Sequence, residues 1–115
     1  MMNQIVLVGR LARDPELIES ENGGKYSNIT LAVPRTYKNI DGEYETDFVN
    51  CKLFTGVAEN TAEYCRKGDL IGLKGRIQTN TYEKDGETKY STEIIGEKVT
   101  FLSNKSKEIN DELEA

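Results

Sequence analysis

Histidine is absent from these 115 residues, cysteine occurs only twice, and no apolar run approaches the length of a membrane-spanning helix. Without an imidazole, the commonest general base and metal ligand is missing. Cys51 and Cys65 stand in no metal-binding or redox spacing, so both read as small apolar residues rather than ligands. The sequence also lacks a GxxxxGK[ST] phosphate loop and a serine in a nucleophile elbow. The expectation is a non-enzyme with no cofactor and no metal. IVLVG near the start is too short for a signal-peptide core and has no cleavage pattern after it, which points to a cytoplasmic protein.

What is present suits one folded domain. A hydrophobic fraction of 37% and a charged fraction of 30% are those of a globular chain, long enough for one modest core. The net charge of −5 argues against a generic nucleic-acid binder, but it is unevenly spread. Residues 105–115 carry Lys105 and Lys107 against Glu108, Asp111, Glu112 and Glu114, about −2 of the total, so the body is only mildly acidic. The expected division is a folded domain over 1–103 and a short acidic, flexible tail over 104–115.

Periodicity gives the elements. NQIVLVGRL (3–11) reads as a strand that is apolar on both faces, Ile5 and Leu7 against Val6 and Val8. A small barrel has one interior, so the second face hints at a subunit interface. ARDPELIESENGGKY reads as loop and turn, and Asp14 to Glu16 as loop chemistry rather than a catalytic carboxylate pair. SNITLAVPR (27–35) is a second strand whose pairing Pro34 ends or confines to an edge. Asp41-Gly42 then turns the chain into a third strand. GVAENTAEYCRKG (56–68) changes period: Ala58, Ala62 and Cys65 form a helical stripe, with Glu59 expected in the first turn, Arg66 and Lys67 in the last, and Gly68 as the exit. Residues 69–102 form a second long hairpin with Asp85-Gly86 at its tip. Five strands with a helix between the third and fourth is the layout of an all-β, five-stranded oligonucleotide-binding Greek-key barrel, although a generic α+β sandwich fits the same string nearly as well.

The third strand, TDFVNCKLF (46–54), has an unusual wet face. Side chains alternate along a strand, so Val49, Cys51 and Leu53 make a core face while Phe48, Asn50, Lys52 and Phe54 share the other. The same alternation in LIGLKGRIQTNTY gathers Lys74, Arg76, Gln78, Asn80 and Tyr82 opposite Ile71, Leu73, Gly75 and Ile77. Arg35, Tyr37 and Lys38 are a third instance. Aromatics pack well in strands and cations are ordinary on wet faces, so any one segment has a purely structural reading. Three together suit single-stranded nucleic acid, whose bases stack on rings while its phosphates meet cations. Tyr26, Tyr44, Tyr64, Tyr90 and Phe101 lack that company and read as packing residues or hairpin covers, and Lys84 and Lys89 as solvated charges.

Taken in order, IVLVGRLARDPE (5–16), NGG followed by NITLAV (22–33), FVNCKLF (48–54), EYCRKG (63–68), GRIQTNTYEKDG (75–86) and TE at 92 and 93 resemble the bacterial single-stranded-DNA-binding protein family. The resemblance implies a homotetramer of oligonucleotide-binding barrels, nucleoid-associated, that wraps single-stranded DNA without strong sequence preference in replication, repair or recombination. The family's base-stacking positions fall on Tyr37, Phe48, Phe54 and Tyr82. Arg35, Lys52, Lys74 and Arg76 are expected to contact phosphates by position and charge. The chain departs from the family pattern in having no tryptophan, so its rings are smaller, and in ending INDELEA, acidic but without a terminal proline-phenylalanine anchor. That ending argues against recruitment of replication or repair enzymes through the tail, and a short accessory, phage, plasmid or DNA-uptake member fits it equally. A barrel that binds protein or RNA instead remains the alternative.

Overall fold

The structure, a computed structural model, describes residues 1–103. The expected acidic tail, 104–115, lies outside the described residues. The elements run β1 (Ile5–Leu11), β2 (Ile18–Glu19), β3 (Lys25–Lys38), β4 (Tyr44–Phe54), α1 (Thr55–Tyr64), β5 (Leu70–Lys84) and β6 (Glu87–Ser103). Of these only the two-residue β2 was not expected; it pairs with the start of β3.

The strands close on themselves. Their order is β1-β5-β6-β4-β3-β2, and a further β1–β3 pairing, with Arg10 opposite Ala32 and Leu11 opposite Leu31, completes a barrel of the five long strands. All the ladders are antiparallel except β4–β6, where Cys51–Leu53 run parallel to Ile94–Gly96. A closed five-stranded antiparallel barrel with one parallel contact, and one helix between the third and fourth long strands, is the oligonucleotide-binding fold the sequence led us to expect.

The core follows the alternation. Leu11, Ile29, Leu31, Cys51, Leu53, Ile71 and Leu73 fill the interior from β1, β3, β4 and β5, and Ala58 and Cys65 close it from the helix side. Gly75 is required where β5 and β6 cross closely: a Cβ there would stand 2.0 Å from the Ile95 carbonyl oxygen. The β5–β6 register slips by one residue beside it, between Lys74 and Gly75. Burial holds the Cys51 thiol in its protonated form, with its pKa pushed up to about 11, and raises that of Cys65 too, by burial first and by Asp69 second.

Several local expectations are corrected. The helix stops at Tyr64, so Arg66 and Lys67 lie beyond its last turn and Glu59 beyond its first; neither terminus carries the charge complement that the sequence pattern promised. Arg66 serves the terminus directly instead, its Nη1 donating to the carbonyls of Ala62 (2.9 Å) and Cys65 (2.7 Å). The chain then leaves through Gly68 at φ 91°, and Asp14 accepts a 2.8 Å hydrogen bond from the Lys67 amide, the loop role foreseen for it. Pro34 does end the regular pairing, as expected, although β3 itself runs on to Lys38. Pro34 pairs with Thr46, and the ladder becomes irregular only between it and Lys38. The β5–β6 hairpin spans the expected length and the β3–β4 strands extend a few residues further than expected; both run out past the barrel, turning at Gly42 (φ 78°) and at Asp85-Gly86 (φ 52° and 78°). Beyond the barrel there is no interior to face. Ile77, assigned by alternation to the core side, is exposed for that reason.

Candidate nucleic-acid interface

The outer face of β4 is built as the alternation implied. Phe48 is 66% exposed and Phe54 42%, while Cys51 and Leu53 on the opposite face are buried. Across the β3–β4 ladder the same face continues with Tyr26 opposite Phe54, Asn28 opposite Lys52, Thr30 opposite Asn50 and Ala32 opposite Phe48. Thr30 Oγ1 donates to Asn50 Oδ1 at 2.9 Å, which fixes the amide between Phe48 and Lys52. In the other direction Lys52 lies beside Ile95 of β6, and Ile95 opposite Arg76 of β5. The paired positions Asn28, Lys52, Ile95 and Arg76 therefore form one transverse row across the strands, interrupted at the surface by the buried Ile95.

Lys52 is the best-placed cation. Its Nζ lies 4.9 Å from the centre of the Tyr26 ring and 5.7 Å from that of Phe54. A cleft of about 310 Å³ opens alongside, lined by Arg13, Asn28, Asn50, Lys52, Thr92 and Glu93 among others. Arg13 was not singled out from the sequence, because only the closed barrel brings residues after β1 against β4.

The remaining sequence-selected residues are dispersed. Tyr37 is exposed on the β3–β4 arm, within the irregular stretch between Pro34 and Lys38, and Tyr82 is exposed on the β5–β6 arm opposite Lys89. Arg76 Nη2 donates to Gln78 at 3.2 Å, and its Nη1 stands 3.9 Å from Glu97. Lys74 is exposed between Val6 of β1 and Lys98 of β6, and it forms no ion pair with any described residue. It thus sits nearer the apolar patch of β1 than the rings.

Arg35 is placed differently from the other cations. Its Nη2 donates to Asp47 at 2.9 Å, its Nε to both oxygens of the same carboxylate at 3.2 Å, and its Nη1 to Glu45 at 2.6 Å. The hydrogen bond from Arg35 holds the Asp47 carboxyl below its usual pKa, and Asp47 in turn raises that of the guanidinium. Two carboxylates on one cation leave no net positive charge there. The guanidinium carbon also lies 6.0 Å from the centre of the Tyr37 ring.

Of the aromatics read as packing or cover, Tyr44, Tyr64, Tyr90 and Phe101 are exposed. Tyr26 is half-buried and has the ring and cation company that sequence inspection denied it. Its alternation with Asn28 and Thr30, opposite Ile29 and Leu31, is the signal that could have found it. Among the described residues no cluster of acids and cysteines could hold a metal ion, and no helix is long and apolar enough to cross a membrane.

The model of the single-strand binding protein family matches residues 2–102. The chain belongs to that family. It is 49% identical over 109 residues to single-stranded DNA-binding protein B of Bacillus subtilis, an alignment covering 94% of this chain and 96% of the relative. It is 50% identical over 103 residues to the single-stranded DNA-binding protein of Halalkalibacterium halodurans, and 44% identical over 113 residues to single-stranded DNA-binding protein 1 of Staphylococcus aureus. These alignments cover 89% and 97% of this chain but only 61% and 72% of the two relatives. This family member thus matches its Bacillus subtilis relative nearly end to end and only part of the length of the other two.

Proposed function

We infer that this chain binds single-stranded DNA without strong sequence preference, by stacking bases on Tyr37, Phe48, Phe54 and Tyr82 and pairing phosphates with Lys52, Lys74 and Arg76. The observation that carries the reading is the exposed row Phe48, Asn50, Lys52 and Phe54 on a strand whose other face is core. Every base offers a flat face, so stacking is indifferent to sequence, at roughly 1–3 kcal/mol per base in a range that itself draws on single-strand binding proteins. Phosphate pairing adds a salt-dependent share. Arg35 is spoken for by Asp47 and Glu45, and its role is to brace the arm that carries Tyr37. The action is stoichiometric: the strand is held extended and protected during replication, repair or recombination, in the cytoplasm, with no turnover and no cofactor.

Assembly into a homotetramer, as the family resemblance implies, is supported by β1. Val6 and Val8 are 64% and 50% exposed on a strand that is apolar on both faces, and a second copy is the natural cover.

Fluorescence anisotropy of a labelled oligo-dT, with the same label on a duplex, at low and moderate salt, tests the reading. Tight binding to the single strand with little to the duplex is expected. Binding to neither would return the barrel to the protein-interaction class, and preference for oligo-U would move it to RNA.

A further inference from the structure

We propose that Tyr26 is a fifth base-stacking position, acting with Phe54 and Lys52 as a paired platform for one nucleotide at the end of the β4 row. The proposal deepens the single-strand reading and rests on it. Tyr26 and Phe54 are direct cross-strand partners on the outer face, which places their Cβ atoms about 5 Å apart. Lys52, one alternation before Phe54, carries its ammonium over both rings, at 4.9 and 5.7 Å from their centres. A cation so held is presented beside the rings instead of swinging freely in water. A base on a ring face that the ammonium leaves open would thus have its phosphate within reach of a charge already positioned to meet it.

The platform is anchored at both edges. Phe54 is the last strand residue before α1, and the turn is made by Thr55 at φ 50°, a left-handed conformation that a β-branched residue adopts only under strain. Beside Tyr26, Lys25 Nζ stands 3.8 Å from Glu59 of α1, tying the start of β3 to the same helix. The cleft that Lys52 lines, with Arg13, Asn28 and Asn50, gives the strand a polar, cationic continuation away from the rings. None of the exposed tyrosines combines a ring partner, a shared cation and an anchored backbone.

Photocrosslinking of the wild-type chain to an oligonucleotide bearing 5-iododeoxyuridine, followed by peptide mapping, tests the proposal. Adducts are expected on Tyr26 as well as on Phe48 and Phe54. Tyr26→Leu keeps bulk but removes the π face, and should weaken oligo-dT binding by about fivefold or more, while Tyr26→Phe stays within about twofold of wild type. With Lys52→Gln added, the double variant should lose less than the product of the single losses, because the ring and the cation act together. Adducts on Phe48 and Phe54 with none on Tyr26, or a Tyr26→Leu variant that binds as wild type, would overturn the platform and leave the single-strand reading standing. Absence of adducts on every ring, with no binding, would overturn both.

Discussion

The ion pairs around Arg35 make a quantitative prediction about salt. Each phosphate neutralised on a single strand contributes about −0.7 to the slope of log affinity against log salt. If Arg35, Lys52, Lys74 and Arg76 all met phosphates, one barrel would show a slope near −2.8, a loss of about fiftyfold between 50 and 200 mM salt. With Arg35 held by Asp47 and Glu45 the slope falls to about −2.1, a loss of about eighteenfold. Lys52→Gln should therefore remove about 0.7 from the slope, and Arg35→Gln should leave it unchanged. Asp47→Asn combined with Glu45→Gln frees the guanidinium, so it should tighten binding and steepen the slope by about 0.7. Anisotropy titrations with an oligonucleotide short enough to occupy one barrel, at four or more salt concentrations, give all the slopes. The reasoning is refuted if Arg35→Gln flattens the slope as much as Lys52→Gln does. That result would mean that DNA displaces the two carboxylates.

Ring size and assembly give two further expectations. Tyr82→Trp enlarges a stacking face on the β5–β6 arm and should strengthen binding and make it less sensitive to salt, as read by the same titrations; unchanged affinity would show that ring area is not limiting. Val8→Asp places a charge on the exposed apolar face of β1 and should reduce the mass seen by light scattering while leaving the far-ultraviolet circular dichroism intact; an unchanged mass would remove β1 from the interface. The thiols predict a pH dependence. Cys51 keeps its proton to about pH 11 when folded, against an ordinary value of 9.0, so its contribution to stability is full below pH 9 and is lost as pH rises toward 11. Denaturation midpoints should accordingly fall over that window in the wild type and less in Cys51→Ala, and thiol reagents at pH 8 should label the native chain far more slowly than the unfolded one.

The sequence was legible where a barrel imposes its own rules. Alternation in 46–54 sorted Cys51 and Leu53 from Phe48 and Phe54 because that strand has core on one side and water on the other. Asp41-Gly42 and Asp85-Gly86 were readable because the turns need left-handed residues there. The same logic failed at Ile77, since periodicity does not say where the barrel ends and a free arm begins. It could not show the ion pair of Arg35, because the partner, Asp47, stands across a hairpin whose register the sequence leaves open. Tyr26 was passed over for a related reason: its partners Phe54 and Lys52 become neighbours only through β3–β4 pairing. In each case the missing information was which strands lie side by side.

The short parallel contact between β4 and β6 has a kinetic consequence. Both long hairpins are assembled from neighbouring sequence and can zip from their own turns, whereas Cys51–Leu53 meet Ile94–Gly96 only after the helix and the whole of β5 have been placed between them. Such non-local closure, like that of β1 on β5, carries a loop-entropy cost and belongs to the slow part of folding. The row from Lys52 through Ile95 to Arg76 spans that seam. A refolding chain should therefore recover its strand signal before it recovers its grip on DNA, so that the capacity to bind is itself a report of a finished barrel.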